Sequence, residues 1–240
     1  MSVPLILVPG TLCDARVFRR VSPKLKTEVP IRHLSLRGLS KRRAWVHGLL
    51  RTLPDRFVIA GFSLGGLVAL EILRQVPERV AGLALISSNA EAASARHRMN
   101  RRRLNDELRS HGLRHLCGRL KQRYFLNPRD AIRYRSTLVQ MAELTPLRHA
   151  HNQFDFAAKR QDGHASLRAF RRPLLILSGR SDTICPPSLQ IKAAQSSPQS
   201  CLELLPRCGH FSLLERPGRV AHSLLNWIRE AKSEIENVYT

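Results

Sequence analysis

Acidic side chains are scarce in this sequence: 18 Asp+Glu stand against 40 Lys+Arg, leaving a formal charge of +22 over 240 residues. Of the 40 basic residues, 33 are Arg. A field this one-sided attracts anions, so an anionic substrate or an acidic partner is expected. Cysteine is also sparse. Cys13, Cys117, Cys185, Cys201 and Cys208 are odd in number and scattered, with no CxxC pair. That excludes a disulfide framework and fits reduced thiols in the cytoplasm. No apolar run reaches the ~18 residues that a membrane-spanning helix needs, so no membrane insertion is expected. The apolar start, "MSVPLILVPGTLCD", has no basic residues ahead of it and is broken by Pro4, Pro9 and Gly10. It reads as a strand rather than a signal peptide. Internal repeats and low-complexity linkers are absent. What remains is one domain's worth of chain, 43% hydrophobic and able to build a full core.

Short apolar runs recur at 4–9, 31–36, 56–61, 80–87, 173–179 and 201–206. Near-continuous apolar strands suit a parallel sheet covered on both faces. Helical patterns lie between them, over 64–76 up to Pro77 and over 217–231 after Pro217. Strand–helix alternation predicts right-handed βαβ units and an α/β sheet. The alternation stops between Asn89 and Arg172. That stretch reads as helices punctuated at His111-Gly112, Asn127-Pro128, Thr145-Pro146 and Asp162-Gly163. It is expected to be a helical cap, residues 90–172, inserted after the fourth strand into a core of 1–89 and 173–240. Such a cap would pack over the sheet's carboxyl edge, where open α/β sheets bind ligands.

The most informative stretch is "RFVIAGFSLGGLVALEILRQV". Gly61-x-Ser63-x-Gly65 falls where a strand ends and a helix begins. A nucleophilic serine needs a tight, strained turn to lift its hydroxyl clear of the sheet. The residues two before and two after crowd each other there, so glycine fits both. The backbone N–H of Leu64 and the helix N-terminus would then face a developing oxyanion. Serine needs a base, and the base an orienting carboxylate, in the order Ser, acid, His on this kind of sheet. Asp182 follows the strand "PLLILSG" and His210 follows "CLELLP", each in a loop past a strand's carboxyl end. A second oxyanion donor is expected after the first strand, from the N–H of Thr11 or of Leu12. Asp155 and Asp162 are acids of the right type but fall within the helical stretch.

These pieces resemble the α/β-hydrolase fold: "VPGT", "GFSLGGLVALEILRQVPERVAGLALIS", "GRSDTICPP" and "CGHFSLLERP" cover nearly the whole chain. The elbow "SLGGLVA" is similar to that of small carboxylesterases that release pimeloyl from its acyl-carrier-protein methyl ester. The resemblance implies about six mostly parallel strands with helices on both faces, lacking the family's N-terminal antiparallel strands. It implies a serine hydrolase with catalytic Ser63, Asp182 and His210, acting on an ester or thioester without cofactor or metal. Pro9-Gly10 stands where the family has His-Gly. Hydrolase-fold lyases of menaquinone synthesis also resemble the elbow, but carry a substrate-binding Arg where this chain has Leu67. Dehalogenases and epoxide hydrolases use an Asp nucleophile, which Ser63 excludes.

Ten basic residues lie between Arg96 and Arg123, with only Asp106 and Glu107 among them. A charge run is commonly a solvated face. As a functional feature, Arg101, Arg102 and Arg103 are candidates for binding an anionic substrate or an acidic acyl carrier protein. Nucleic acid fits less well, since no aromatic interleaves the basics before Tyr124 and Phe125 to stack on bases. A hydrolase-fold binding protein with a basic cap is the competing class. His149-x-His151 lacks a third metal ligand nearby. Cys13 and Cys208 flank the expected site as packing residues and are expected to make it sensitive to thiol reagents.

Overall fold

Six strands pair into one sheet; the four inner ones are apolar and buried on both faces and must be covered on both, while the two edge strands are only partly buried. In the computed structural model, which describes residues 3–39, 42–120 and 124–237, the chain runs β1 (Leu5–Val8), α1 (Ser22–Leu25), β2 (Ile31–His33), α2 (Arg42–Leu50), β3 (Phe57–Phe62), α3 (Leu64–Gln75) and β4 (Val80–Ile86). It continues through α4 (Ala95–Leu120), α5 (Pro128–Glu143), α6 (Leu147–Ala158), α7 (His164–Ala169), β5 (Leu174–Gly179), α8 (Pro187–Gln195), β6 (Ser200–Leu205), α9 (Ser212–Glu215) and α10 (Pro217–Asn237). The strand order is β2-β1-β3-β4-β5-β6 and every neighbouring pair is parallel. The order reverses between β1 and β3, so the loops leaving their carboxyl ends border the crevice where such sheets bind ligands.

Side-chain alternation sorts the strands onto two cores. Leu5, Leu7, Val58, Ala60, Ala84 and Ile86 join one buried cluster, closed by Leu25 of α1 and by Val220, Leu224 and Trp227 of α10. Ile6, Val8, Ile59, Leu83, Leu85 and Ile176 face the other side, against α2, α3 and α8. The expected strand 31–36 is shorter than its apolar run. β2 is an edge strand paired only with the four-residue β1, and after the Leu34 N–H bonds to the Leu7 carbonyl at 2.9 Å the chain leaves the ladder. Leu34 and Leu36 are nevertheless buried, in the second cluster.

The segment between β4 and β5 is helical, as its sequence indicates. Its punctuation marks real breaks. Gly112 interrupts α4 with a left-handed φ of 77°, and the Asn127 side chain caps α5 by accepting from Arg129 N–H at 2.9 Å. Leu108, Leu116, Ala142, Ala150 and Phe154 give these helices a small core of their own. Leu12, from the loop after β1, inserts into it. No helix among the described residues is long and apolar enough to cross a membrane.

Trp227 ties α10 to the start of β5: it is buried in the first cluster, and its Nε1 donates to the Pro173 carbonyl at 3.1 Å. Trp227→Ala removes that packing and leaves a cavity. Urea denaturation should show a loss of about 3–5 kcal/mol, the range for deleting a buried large aromatic.

Candidate active site

One residue, Ser63, separates β3 from α3. Its φ of 51° and ψ of −113° are costly for a side chain with a Cβ, on the order of 1–3 kcal/mol. The surroundings hold it there. Its N–H donates to the Ile86 carbonyl at 2.8 Å, and its own carbonyl accepts from Ser88 Oγ at 2.8 Å and Gly66 N–H at 3.0 Å. The glycines are sterically required: a Cβ on Gly61 would strike the Gly65 carbonyl, and one on Gly65 would strike the Val8 carbonyl.

His210 and Asp182 arrive from the loops after β6 and β5. His210 Nε2 lies 3.0 Å from Ser63 Oγ, and its Nδ1 lies 2.9 Å from Asp182 Oδ2. Asp182 is buried and also accepts from the N–H groups of Ile184 and Cys185, both at 2.8 Å, and from Ser178 Oγ at 3.2 Å. Surrounded by donors, it accepts the hydrogen bond of the Nδ1–H, which leaves the Nε2 lone pair for the serine hydroxyl. The His210 ring sits among aromatics, with centroids 5.5 Å from Phe62 and 5.4 Å from Tyr124. Its backbone N–H donates to the Tyr124 carbonyl at 2.8 Å.

Glu215 is a positioning residue that sequence reasoning missed. Its buried carboxylate accepts from Gly209 N–H at 3.1 Å and from Leu126 N–H at 3.0 Å, fixing the loop that carries His210. Burial holds its carboxyl above the usual carboxylate range. The available signal was a charged residue inside an otherwise apolar turn, "FSLLERP".

Two N–H groups border the serine hydroxyl's side of the cavity. Those of Thr11 and Leu64 donate to no other group among the described residues, and both residues line the cavity that holds Ser63. Leu12 is otherwise engaged: at φ 54° its N–H donates to Gln153 Oε1 of α6 at 2.8 Å. The alternative donor is thus removed from the oxyanion side.

The cavity encloses about 470 Å³ between the sheet's carboxyl edge and the helical segment, with Arg96, His97, Arg101, Tyr124 and Arg160 in its walls. Of the three adjacent arginines, Arg101 lines it, while Arg102 and Arg103 are exposed outside the lining. Lys121 and Arg123 lie outside the described residues, as does the Arg119 side chain. Asp155 faces Lys159 at 3.6 Å, and Asp162 accepts from His164 N–H at 3.0 Å; neither reaches His210. His149 and His151 have separate partners, Gly38 N–H at 3.1 Å and Asn105 at 2.8 Å.

Two side-chain groups among the described residues converge closely enough to share a cation. Asp182 and His210, with Cys185, are already bonded to each other. Glu91 and His164, with Asp162, face Lys192, whose Nζ is 2.7 Å from Glu91. The thiols are poor nucleophiles. Burial, aided by the charge of Asp182, pushes Cys185 up to about 12, and burial beside Glu215 does the same for Cys208. Burial thus disfavours the thiolate form of both residues.

A parallel β2-β1-β3-β4-β5-β6 sheet, a strained serine between β3 and α3, and a histidine and carboxylate from later strand ends define an α/β enzyme class with serine at the elbow. The chain belongs to the alpha/beta hydrolase family, which it matches over residues 5–223. It is 27% identical over 205 residues to the biotin biosynthesis bifunctional protein BioHC of Cellvibrio japonicus, covering 80% of this chain and 40% of that protein. It is 36% identical over 92 residues to a pimeloyl-[acyl-carrier protein] methyl ester esterase of Aromatoleum aromaticum, covering 35% of this chain and 37% of that one. The chain spans about two fifths of the length of the curated relatives it matches. Among solved structures, a thermophilic esterase from Thermogutta terrifontis superposes with a TM-score of 0.85 at 25% identity, covering 96% of this chain and 91% of that one. The enol-lactonase of Burkholderia xenovorans shares the fold, with a TM-score of 0.80 at 16% identity over 96% and 93% of the two chains.

Two variants probe this geometry. Asp182→Asn should remain folded but lower kcat on an activated ester by about 10⁴-fold, because the histidine tautomer is no longer fixed. A similar drop for Asp155→Asn or Asp162→Asn, with Asp182→Asn active, would move the acid elsewhere. Gln153→Leu leaves the buried Leu12 N–H without its acceptor. It should lower the unfolding free energy by about 1–3 kcal/mol in urea titrations, the cost of a buried unpaired donor.

Proposed function

We propose that this protein is a serine hydrolase that cleaves a carboxylic ester or thioester. The observation that carries the reading is the hydrogen-bonded chain from Asp182 through His210 to Ser63, ending at a walled cavity. Ser63 Oγ attacks the carbonyl carbon while His210 Nε2 takes its proton. The carbonyl oxygen becomes an oxyanion, received by the N–H groups of Leu64 and Thr11. Collapse expels the leaving group, to which His210 returns the proton, and leaves Ser63 acylated. Water, deprotonated by His210, then attacks the acyl carbonyl and frees the acid and the serine. Asp182 holds the imidazole in its tautomer and stabilises the imidazolium. This chemistry asks for no metal or organic cofactor.

The helices of 90–172 act as a cap over the site, and the substrate is carried on an acidic acyl carrier protein. Two features favour such a substrate: the matched esterases are named for an acyl-carrier methyl ester, and the exposed basic face of α4 includes Arg102 and Arg103. Steering by such a face acts on association and is screened over ~8–10 Å at ordinary ionic strength. Five free cysteines support a reducing, cytoplasmic setting.

A fluorophosphonate probe should label the protein, and Ser63→Ala should abolish both labelling and ester turnover while the circular dichroism spectrum is kept. Labelling that survives in folded Ser63→Ala would sink the mechanism. For the carrier, kcat/KM on an acyl-carrier-linked ester should fall steeply as salt is raised, and Arg102→Glu with Arg103→Glu should reproduce that fall at low salt. Equal salt sensitivity on a small neutral ester would return these arginines to a solvated face.

A further inference from the structure

The cavity that holds Ser63 has cationic walls. Arg96, His97, Arg101 and Arg160 line it, and among the described residues no Asp or Glu does. Arg160 is 8% exposed. Its Nε donates to the Glu91 carbonyl at 2.8 Å, its Nη1 to the Ala157 carbonyl at 3.1 Å, and its Nη2 to His97 Nδ1 at 2.9 Å. None of these three acceptors carries a charge. Accepting from Arg160, His97 can hold its own proton only on Nε2. Burial first, and then the guanidiniums of Arg160, Arg101 and Arg96, hold its pKa below the usual range. The Glu91 carboxylate lies 2.7 Å from Lys192 Nζ.

Arg101 is the most available of the set. It is half-buried, and its guanidinium lies over the Phe154 ring at 5.9 Å, a placement that desolvates one face of the cation without neutralising it. No carboxylate pairs with Arg101 among the described residues. A guanidinium brought into a partly buried cavity without a counterion is suited to receive one from a ligand, in bidentate geometry. Sequence alone ran Arg101, Arg102 and Arg103 together as one basic patch. In the fold, only Arg101 turns inward.

We infer that Arg101, with Arg96 and the Arg160–His97 pair beside it, forms an oxyanion-group subsite inside the cavity, so that the ester substrate carries a carboxylate or phosphate in addition to the ester that reacts. The inference rests on the serine hydrolase reading for the word substrate and on the cavity walls alone for the anion. Carboxylate and phosphate share the required chemistry. A carboxylate would sit on the acyl chain, and a phosphate on a pantetheine-type leaving arm.

Two matched substrate pairs separate these sources: monomethyl glutarate against methyl valerate, and an acyl thioester of 4′-phosphopantetheine against the same thioester of pantetheine. The charged member of one pair should be preferred by at least tenfold in kcat/KM, mainly through KM, and the pair that shows it identifies the source. In Arg101→Gln the charged-to-neutral ratio should fall at least tenfold, and Arg101→Lys should restore part of it. Arg168→Gln, which removes the same charge from an exposed site on α7, should keep the wild-type ratio. Calorimetric binding of glutarate and of 4′-phosphopantetheine to wild type and Arg101→Gln gives a readout independent of turnover. If no ester is turned over but Arg101→Gln weakens binding of either anion, the hydrolase reading falls and the subsite stands. If neutral esters are cleaved, neither charged member is preferred and Arg101→Gln leaves anion binding unchanged, the subsite is overturned and the hydrolase reading stands.

Discussion

The close approach of α3 to β1 governs the rest of the molecule's chemistry. Gly65 packs its backbone against the Val8 carbonyl with no room for a Cβ, and Gly61 packs against Gly65 in the same way. That contact sets the elbow beside the end of β1, so the loop through Thr11 faces the serine. It forces Ser63 into a left-handed conformation, for which the bonds to Ile86, Ser88 and Gly66 compensate. Parallel pairing of β3 with β4, of β4 with β5 and of β5 with β6 then delivers the loops bearing Asp182 and His210 to the same edge. Strain at one residue is tolerated because a whole sheet over-determines it.

Much of this was legible in sequence. Apolar runs bounded by Gly and Pro predict six strands, and all six form. The Ser63, Asp182 and His210 positions follow from each lying just past a strand's end, and the fold brings those three side chains within hydrogen-bonding distance. Local rules fail where tertiary pairing decides. Leu36 reads as strand but lies past the ladder, which ends with the Leu34 N–H on the Leu7 carbonyl. Glu215 and Gln153 are invisible to periodicity. Each is a polar residue on an apolar face whose partner, Gly209 and Leu126 or Leu12, is fixed only by the fold. The chain's scarcity of acid was legible too, but not which arginines would face inward.

Charge is therefore divided by geometry rather than by sequence distance. Neighbouring arginines on one helix serve different environments: Arg102 and Arg103 sit in water, where a charge acts over a Debye length, while Arg101 is partly desolvated, where it acts at contact. The first environment favours encounter and the second favours discrimination among ligands already bound. A basic isoelectric point describes only the first.

The helical segment between β4 and β5 is stitched to the chain beneath it at several points, three of them beside Ser63 and His210. Gln153 holds Leu12, the Tyr124 carbonyl holds the His210 N–H, and Leu126 is tied to Glu215. A roof fastened to both the loop after β1 and the loop after β6 cannot swing away as one hinged body without unlatching the histidine and the Thr11 loop together.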